Sequence, residues 1–479
     1  MDRLSASTHL PGTIAKPRYN RPALKPGILH IGFGAFHRAH QAVYTDTALA
    51  QTFGDWGIIG VSLRSLDAIR DLRAQDHLFS VISRGAAGAE VRVIGSVIGG
   101  LSATEDHETL LARLADPAIR IVSLTVTEKA YGMDPLTGGL DHQHPAVAAD
   151  LARPEAPTGV IGFIVEGLAR RRSAGLKPFT VLCCDNLPTN GRVVRRLVTE
   201  MATRREPALA AWISEHGAFP STMVDRIVPA ATEETRLHAA ALLGAEDTLA
   251  LDTEPFMQWV VEDHFVLGRP AWEVAGALFV KDVEPYEKMK LRLLNGVHSM
   301  IAYLGQLAGL DYVRDVMAVP GYRSQVRRYM EAAARTLDPV PGIDLEVYQE
   351  QLIQRFANPT IAHRTRQIAM DGSQKLSQRI FAAAVDDLAA GRDGAVFAYA
   401  TALWVAYVMQ TPDLEDPRRH ELKAAASEAI DNDEPSAFFA VPGLFPKALV
   451  QDRAWLDRLS CELQGIKSMK SGMSPFPSA

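Results

Sequence analysis

A short apolar run that ends on two spaced glycines constrains this chain more than any other feature. Residues 28–32, Ile-Leu-His-Ile-Gly, read as a strand, and Gly32-Phe-Gly34 follows as a turn. Two glycines allow a tight bend and a close backbone approach to a bulky anion, and a following helix N-terminus favours negative charge. More apolar runs follow at 56–63, 118–126 and 179–184, with helix-periodic segments at 109–114 and 161–172. Alternation of strand and helix implies an α/β fold with a parallel sheet covered on both faces. Near residue 282 the pattern changes. From Tyr286 onward most segments repeat every 3.6 residues, as at 332–337 and 376–388. The expected division is an α/β domain over 1–281 and a mostly α-helical domain over 282–479. Residues 1–27 read as an irregular arm and 467–479 as a frayed tail.

A chain of 479 residues suits two domains better than one. Its net charge of −6 leaves no basic footprint for nucleic acid. The run Arg170-Arg171-Arg172 reads as a solvated helix face. Three cysteines (Cys183, Cys184, Cys461) cannot build a disulfide framework, and no Cys/His spacing suggests a metal site. Both points fit a reducing cytosol. The first 27 residues show no apolar signal segment. The uncharged stretch 394–409 is shorter than the roughly 20 apolar residues that span a bilayer. It reads as a buried helix, so a cytoplasmic protein with no membrane partner is expected.

Position 37, where a third glycine of Gly-x-Gly-x-x-Gly would fall, is His. Spacing alone therefore leaves an ordinary turn and a dinucleotide loop both open. An acid that meets the adenosine ribose usually stands about 20 residues on. No well-placed acid follows at that distance here; Asp67 lies further along, after the second apolar run, and by itself suits the first turn of a helix capped by Ser65. Arg64 beside it keeps a 2′-phosphate in play.

Residues 286–298, Tyr-Glu287-Lys-Met-Lys290-Leu-Arg-Leu-Leu-Asn295-Gly-Val-His298, read as one helix. At about 100° per residue, Asn295 lies about 140° from Lys290, with His298 between them at about 80°. All three can face one cleft. A surface lysine and a weak Asn-Gly point would leave the same trace. Upstream, residues 219–229 read Phe-Pro-Ser-Thr-Met-Val-Asp-Arg-Ile-Val-Pro. Periodicity makes this a strand end and a turn, with Val224, Ile227 and Val228 buried and Asp225-Arg226 an ion pair.

Taken as a string, 219–229 resembles the signature of the mannitol dehydrogenase family, the polyol-specific long-chain dehydrogenases. Lys290 with Asn295 and His298 is similar to that family's catalytic helix. Gly32-x-Gly34-x-Phe36-x-Arg38-x-His40 is similar to its dinucleotide turn. The likeness runs from about residue 27 to 460. It implies a Rossmann-type doubly wound first domain that binds NAD through Gly32, Gly34, Ala35, Phe36, Arg38, Asp67 and Glu128. It implies metal-independent oxidation of a secondary alcohol. Lys290 would take the hydroxyl proton, which requires a desolvated cleft or nearby positive charge to favour the neutral amine. The amides of Asn186 and Asn295 would stabilise charge on the oxygen. For Asn186, an Asx-turn reads equally well from local sequence. The likeness also implies that His298 and Asp225 bind substrate hydroxyls and that Glu128 and Glu287 form a proton route.

Two patterns within the family compete for the substrate. Mannitol 2-dehydrogenases typically read Thr-Glu-Gly-Gly-Tyr where this chain has Thr127-Glu128-Lys129-Ala130-Tyr131, and they carry arginine at the position of Gln367. The segment 363–375, His-Arg364-Thr-Arg366-Gln-Ile-Ala-Met-Asp-Gly-Ser-Gln-Lys, is more similar to fructuronate reductases (mannonate oxidoreductases). A hexuronate carries a carboxylate that mannitol lacks. Lys129, His363, Arg364 and Lys375 are the cations available to meet it, unless they cap helix ends or sit in water. The expected partner is thus a small sugar acid or polyol. The sequence carries no signal for oligomeric state.

Overall fold

The computed structural model describes residues 1–85, 88–135, 137–431 and 435–467; the expected tail beyond Lys467 lies outside them. The chain divides into two compact units, Met1–Glu284 and Pro285–Ala479.

The first unit has eleven strands among its described residues: β1 (Pro26–Ile31), β2 (Gly57–Ser62), β3 (Phe79–Gly85), β4 (Gly88–Ile94), β5 (Val97–Ser102), β6 (Ile121–Leu124), β7 (Thr180–Cys183), β8 (Thr222–Asp225), β9 (Leu251–Thr253), β10 (Gln258–Glu262) and β11 (Leu278–Val280). Five form one parallel sheet in the order β5-β2-β1-β6-β7. The chain steps outward from β1 through β2 to β5, then crosses back to β6 and β7. Strand order reverses at β1 and β6, and a ligand crevice belongs beyond the carboxyl ends of strands at such a point. This is the Rossmann-type doubly wound arrangement.

Two-sided burial follows from side-chain alternation along each strand. Ile28 stands level with Ile58 and Ile121, and all three pack on one face with Ala42, Val43 and Tyr44 of the helix Gln41–Gln51. Leu29, Val122 and Val181 point the other way, onto the helices His107–Ala115 and Val160–Ser173. Within the second of these helices Arg171 is buried rather than solvated. Its guanidinium donates to the carbonyls of Leu114, Asp116, Ile119 and Lys177. Its Nε and Nη1 donors close the ends of two chain segments there, which a charge run in sequence does not reveal.

The hairpin β3–β4 and strand β9 form a second small sheet, and β8, β10 and β11 form a third. The arm 1–25 is docked on the first of these. Leu4, Leu10 and Ile14 are buried with Ile82, Val91 and Val93, and Ala15 exchanges backbone hydrogen bonds with Val91 and Val93. Further along, Tyr19 donates to Asp46 and Arg21 to the Gly95 and Val97 carbonyls.

The second unit is helical. Its central helix, Ala395–Gln410, is buried on nearly every side and packs against Gly296–Ala308 and Arg453–Lys467. No helix among the described residues is long and apolar enough to cross a membrane. Two segments depart from α geometry, Lys290–Asn295 and Ser377–Phe381, and both are π turns.

Candidate active site

In the first unit the candidate residues gather where the parallel strands end. Gly32 has φ +100°, and a Cβ there would collide with the Thr125 carbonyl at the end of β6. Glycine is therefore required at 32 by the fold itself. Gly34 differs: it is exposed, and a Cβ would meet only the Gly32 carbonyl oxygen, at 3.7 Å. No side chain caps the helix Ala35–Ala39 that it opens. Bare backbone beside that turn fits a dinucleotide pyrophosphate, with Ala35 and Phe36 half-buried next to it.

The missing third glycine has a structural replacement. His37 stacks on His30 of β1, with ring centroids 3.4 Å apart. His30 in turn bonds the hydroxyls of Ser123 and Thr125, each at 2.9 Å. A stacked ring pair thus joins helix to strand where a glycine would permit direct contact. Burial holds both imidazoles neutral, His30 at about 3 and His37 well below the ordinary range.

Arg38, expected among the cofactor-binding residues, is turned inward. Its guanidinium donates to the Leu249 and Gly34 carbonyls and lies over the rings of Phe33 and Phe79. It shapes the turn from behind instead of meeting a phosphate. Asp67 is exposed and begins the helix Asp67–Ala74, just beyond β2 and its loop. The residue preceding it, Leu66, is the cap position, so Ser65 is not the cap. An exposed acid past the end of the strand next to β1 suits a ribose diol. Its sequence distance from the glycines is long because two consecutive helices, Ala35–Ala39 and Gln41–Gln51, intervene before β2.

Glu128 and Lys129 are exposed in a single 3₁₀ turn after β6, and Asn186 is exposed after β7. Asp225 is buried at the end of β8, level with Gln258 of β10. Arg226 has partners of its own. The Arg226 guanidinium donates to the Ala39 and Glu254 carbonyls and to Ser83 Oγ. Val224 and Ile227 are buried as expected, while Val228 is half-buried. Asn190, which the sequence reading passed over, joins these loops: its amide donates to the Asp185 and Thr222 carbonyls and accepts from Thr222 N–H at 2.9 Å.

In the second unit Lys290, Asn295 and His298 are all buried. The segment is not one α-helix, and the expected arc changes accordingly. Across the π turn hydrogen bonds run over five residues, as from Gly296 N–H to the Leu291 carbonyl. The wider winding brings residue i+5 closer around the axis to residue i, so Asn295 lies nearer the side of Lys290 than the expected angle of about 140°. Single π turns frequently mark functional sites. Nothing in local composition announces one here.

His298 meets His363 edge-on, with centroids 5.1 Å apart, and packs on Phe356 at 4.5 Å. Its Nε2 and the Nδ1 of His363 are buried without a hydrogen-bond partner. Burial, reinforced by His363, Arg355, Arg379 and Lys290, drives the His298 imidazole well below its ordinary range, and burial takes His363 to about 4. Two neutral rings with open nitrogens can each meet a hydroxyl. Glu287 is half-buried three residues before Lys290, on the same side of the helix.

The expected carboxylate-binding cations separate. Lys375 donates to the Met370 carbonyl at 2.7 Å and lies 3.8 Å from Asp371, so it is engaged at the end of the preceding helix, Thr365–Ala369. Arg366 is paired with Glu415 at 2.9 Å. Arg364, next to His363, is exposed and lies over the Tyr312 ring, with no carboxylate partner among the described residues.

Residues 26–274 match the mannitol dehydrogenase Rossmann domain, and 282–467 match the mannitol dehydrogenase C-terminal domain. An uncharacterised oxidoreductase of Escherichia coli K12 is 46% identical, over 92% of each chain. The D-mannonate oxidoreductase of the same organism is 43% identical, over 95% of this chain and 96% of its own. Among solved structures, mannitol 2-dehydrogenase of Pseudomonas fluorescens in a ternary complex with NAD and D-mannitol superposes with a TM-score of 0.88 at 38% identity, covering 98% and 97% of the two chains.

Proposed function

The chain belongs to the mannitol dehydrogenase family, and from that premise we propose that it is an NAD-dependent fructuronate reductase interconverting D-mannonate and D-fructuronate at C5 in the cytosol. The observation that carries the choice of a sugar acid is Arg364: an exposed guanidinium, next in sequence to His363, with no carboxylate partner among the described residues. The E. coli D-mannonate oxidoreductase, alike over nearly the whole length, supports the same choice.

NAD, held by the Gly32–Gly34 turn, Ala35, Phe36 and Asp67, supplies the hydride acceptor when bound. Asp67 would accept hydrogen bonds from the ribose hydroxyls and repel a 2′-phosphate, which selects NAD over NADP. In oxidation Lys290 removes the proton of the C5 hydroxyl, and in reduction it returns that proton to the carbonyl oxygen. The Asn295 amide donates to that oxygen as charge builds on it, a role that the family resemblance also gives to Asn186. Neutral His298 and His363 bind neighbouring hydroxyls, and Asp225 accepts from another. Arg364 meets the substrate carboxylate with a planar pair of N–H donors. Lys129 adds positive charge, while Glu128 and Glu287 exchange the proton with solvent.

Arg364→Ala tests the reading. Loss of a charge-assisted pair worth about 1.5–3 kcal/mol corresponds to a roughly 10- to 150-fold drop in kcat/KM for D-mannonate. D-Mannitol, without a carboxylate, should be nearly unaffected. Efficient mannitol oxidation by the parent protein with no mannonate turnover would assign the chain to mannitol 2-dehydrogenase instead.

A further inference from the structure

The loop that carries Glu128 and Lys129 is held in a conformation it would not choose. Thr127 has φ 75° and ψ 153°. That region is essentially restricted to glycine, and a β-branched residue is strained there. Thr189 and Asp371, by contrast, occupy the ordinary left-handed well.

Three hydrogen bonds to one carboxylate account for it. Asp185, at the end of β7, accepts from Val126 N–H at 2.9 Å, Thr127 N–H at 3.1 Å and the buried Tyr131 hydroxyl at 2.6 Å. The donors bracket the loop on both sides. The Asp185 main-chain carbonyl accepts from Asn190, whose amide also pairs with Thr222 of β8. Asp185 therefore ties together the ends of β6 and β7, which bear Glu128, Lys129 and Asn186, and Asn190 joins it to Thr222 at the start of β8.

We propose that Asp185 is a positioning residue: it clamps Thr127 in the strained conformation and so fixes Glu128 and Lys129 with respect to Asn186. The inference rests on the reading that these side chains serve the reaction. Charge-assisted bonds to two adjacent amides offset backbone strain of this kind, which neutral loop contacts would not.

The test compares Asp185→Ala with Asp185→Ala/Thr127→Gly. It measures kcat and KM for whichever of D-mannonate and D-mannitol the parent oxidises, NADH binding, and amide exchange. With Asp185→Ala, exchange at Val126 and Thr127 should accelerate while β1 stays protected. kcat should fall about 100-fold, as for a misplaced reacting group. Glycine at 127 adopts the required dihedrals without strain, so the double variant should recover at least about tenfold. A general structural defect would not be rescued in this way. Unchanged kcat in Asp185→Ala, or a double variant no better than the single, overturns the proposal. If Asp185→Ala does not fold, Tyr131→Phe removes one of the three bonds. A several-fold loss reversed by Thr127→Gly then supports the clamp, and its absence overturns it. A wrong assignment of the sugar leaves these ratios readable on the other substrate. Should neither be oxidised, unprotected Val126 and Thr127 amides in the parent overturn the clamp, and slow exchange that Asp185→Ala abolishes supports it.

Discussion

Gly296→Ala is the substitution whose outcome the structure specifies most sharply. Gly296 closes the π turn that contains Lys290 and Asn295. A Cβ there would lie 2.5 Å from the Tyr329 hydroxyl and 2.6 Å from the Arg379 carbonyl oxygen. Ordinary contact needs about 3.5 Å, so something must move by about 1 Å. The Arg379 carbonyl belongs to the second π turn and cannot rotate away. Overpacking of this kind costs up to about 3 kcal/mol, and the better helix propensity of alanine returns about 1. The net destabilisation is about 2 kcal/mol, which lowers the melting temperature of a unit this size by about 4–8 °C. Displacing the turn by about 1 Å also moves Lys290 and Asn295 together, so kcat should fall about 100-fold. Calorimetry with a steady-state NADH assay reads both quantities. Gly465→Ala is the control: it lies exposed in the helix Arg453–Lys467 with nothing within 4 Å of its Cβ, and should be neutral or stabilising by up to about 1 kcal/mol. Adding Tyr329→Phe to Gly296→Ala removes one of the two collisions and should recover part of the loss. A Gly296→Ala protein that melts like the parent and turns over like it would refute the close approach of the two π turns.

Lys290→Ala should keep NADH binding, measured by fluorescence, while turnover falls about 10²- to 10⁴-fold; undiminished turnover would remove Lys290 from the role of base. Asp67→Ala should cost about 10- to 100-fold in kcat/KM with NAD and raise the relative use of NADP, and unchanged selectivity would move ribose recognition elsewhere. Acid should destabilise the first unit through His30, whose imidazole is held at about 3 against an ordinary value of about 6.5. The native state keeps it neutral while the unfolded state takes up a proton, so stability falls as pH drops below about 6.5. At pH 4.5 the loss from this one group is about 3 kcal/mol. Denaturant titrations at pH 7 and 4.5 should show that slope reduced in His30→Asn, and an unchanged slope would contradict the neutral buried ring.

Some of this is legible along the chain because it depends only on neighbours in sequence. The alternation of Ile28 and Leu29 toward opposite faces and the 3.6-residue rhythm after Tyr286 follow from backbone sterics and burial period. The side chains that carry charge are another matter. Arg38, Arg171, Arg226 and Lys375 were indistinguishable in sequence from cations free to meet solvent or a ligand. Each is spent on main-chain carbonyls, as Arg38 is on Leu249, while Arg364 has no such partner among the described residues. The π turn was equally invisible. It accompanies the approach of Gly296 to Tyr329 and Arg379, residues far along the chain. Local pattern determines which way a side chain faces and how the backbone repeats. What that side chain meets, and whether a helix winds one residue wider between Lys290 and Asn295, is decided by packing between segments distant in sequence.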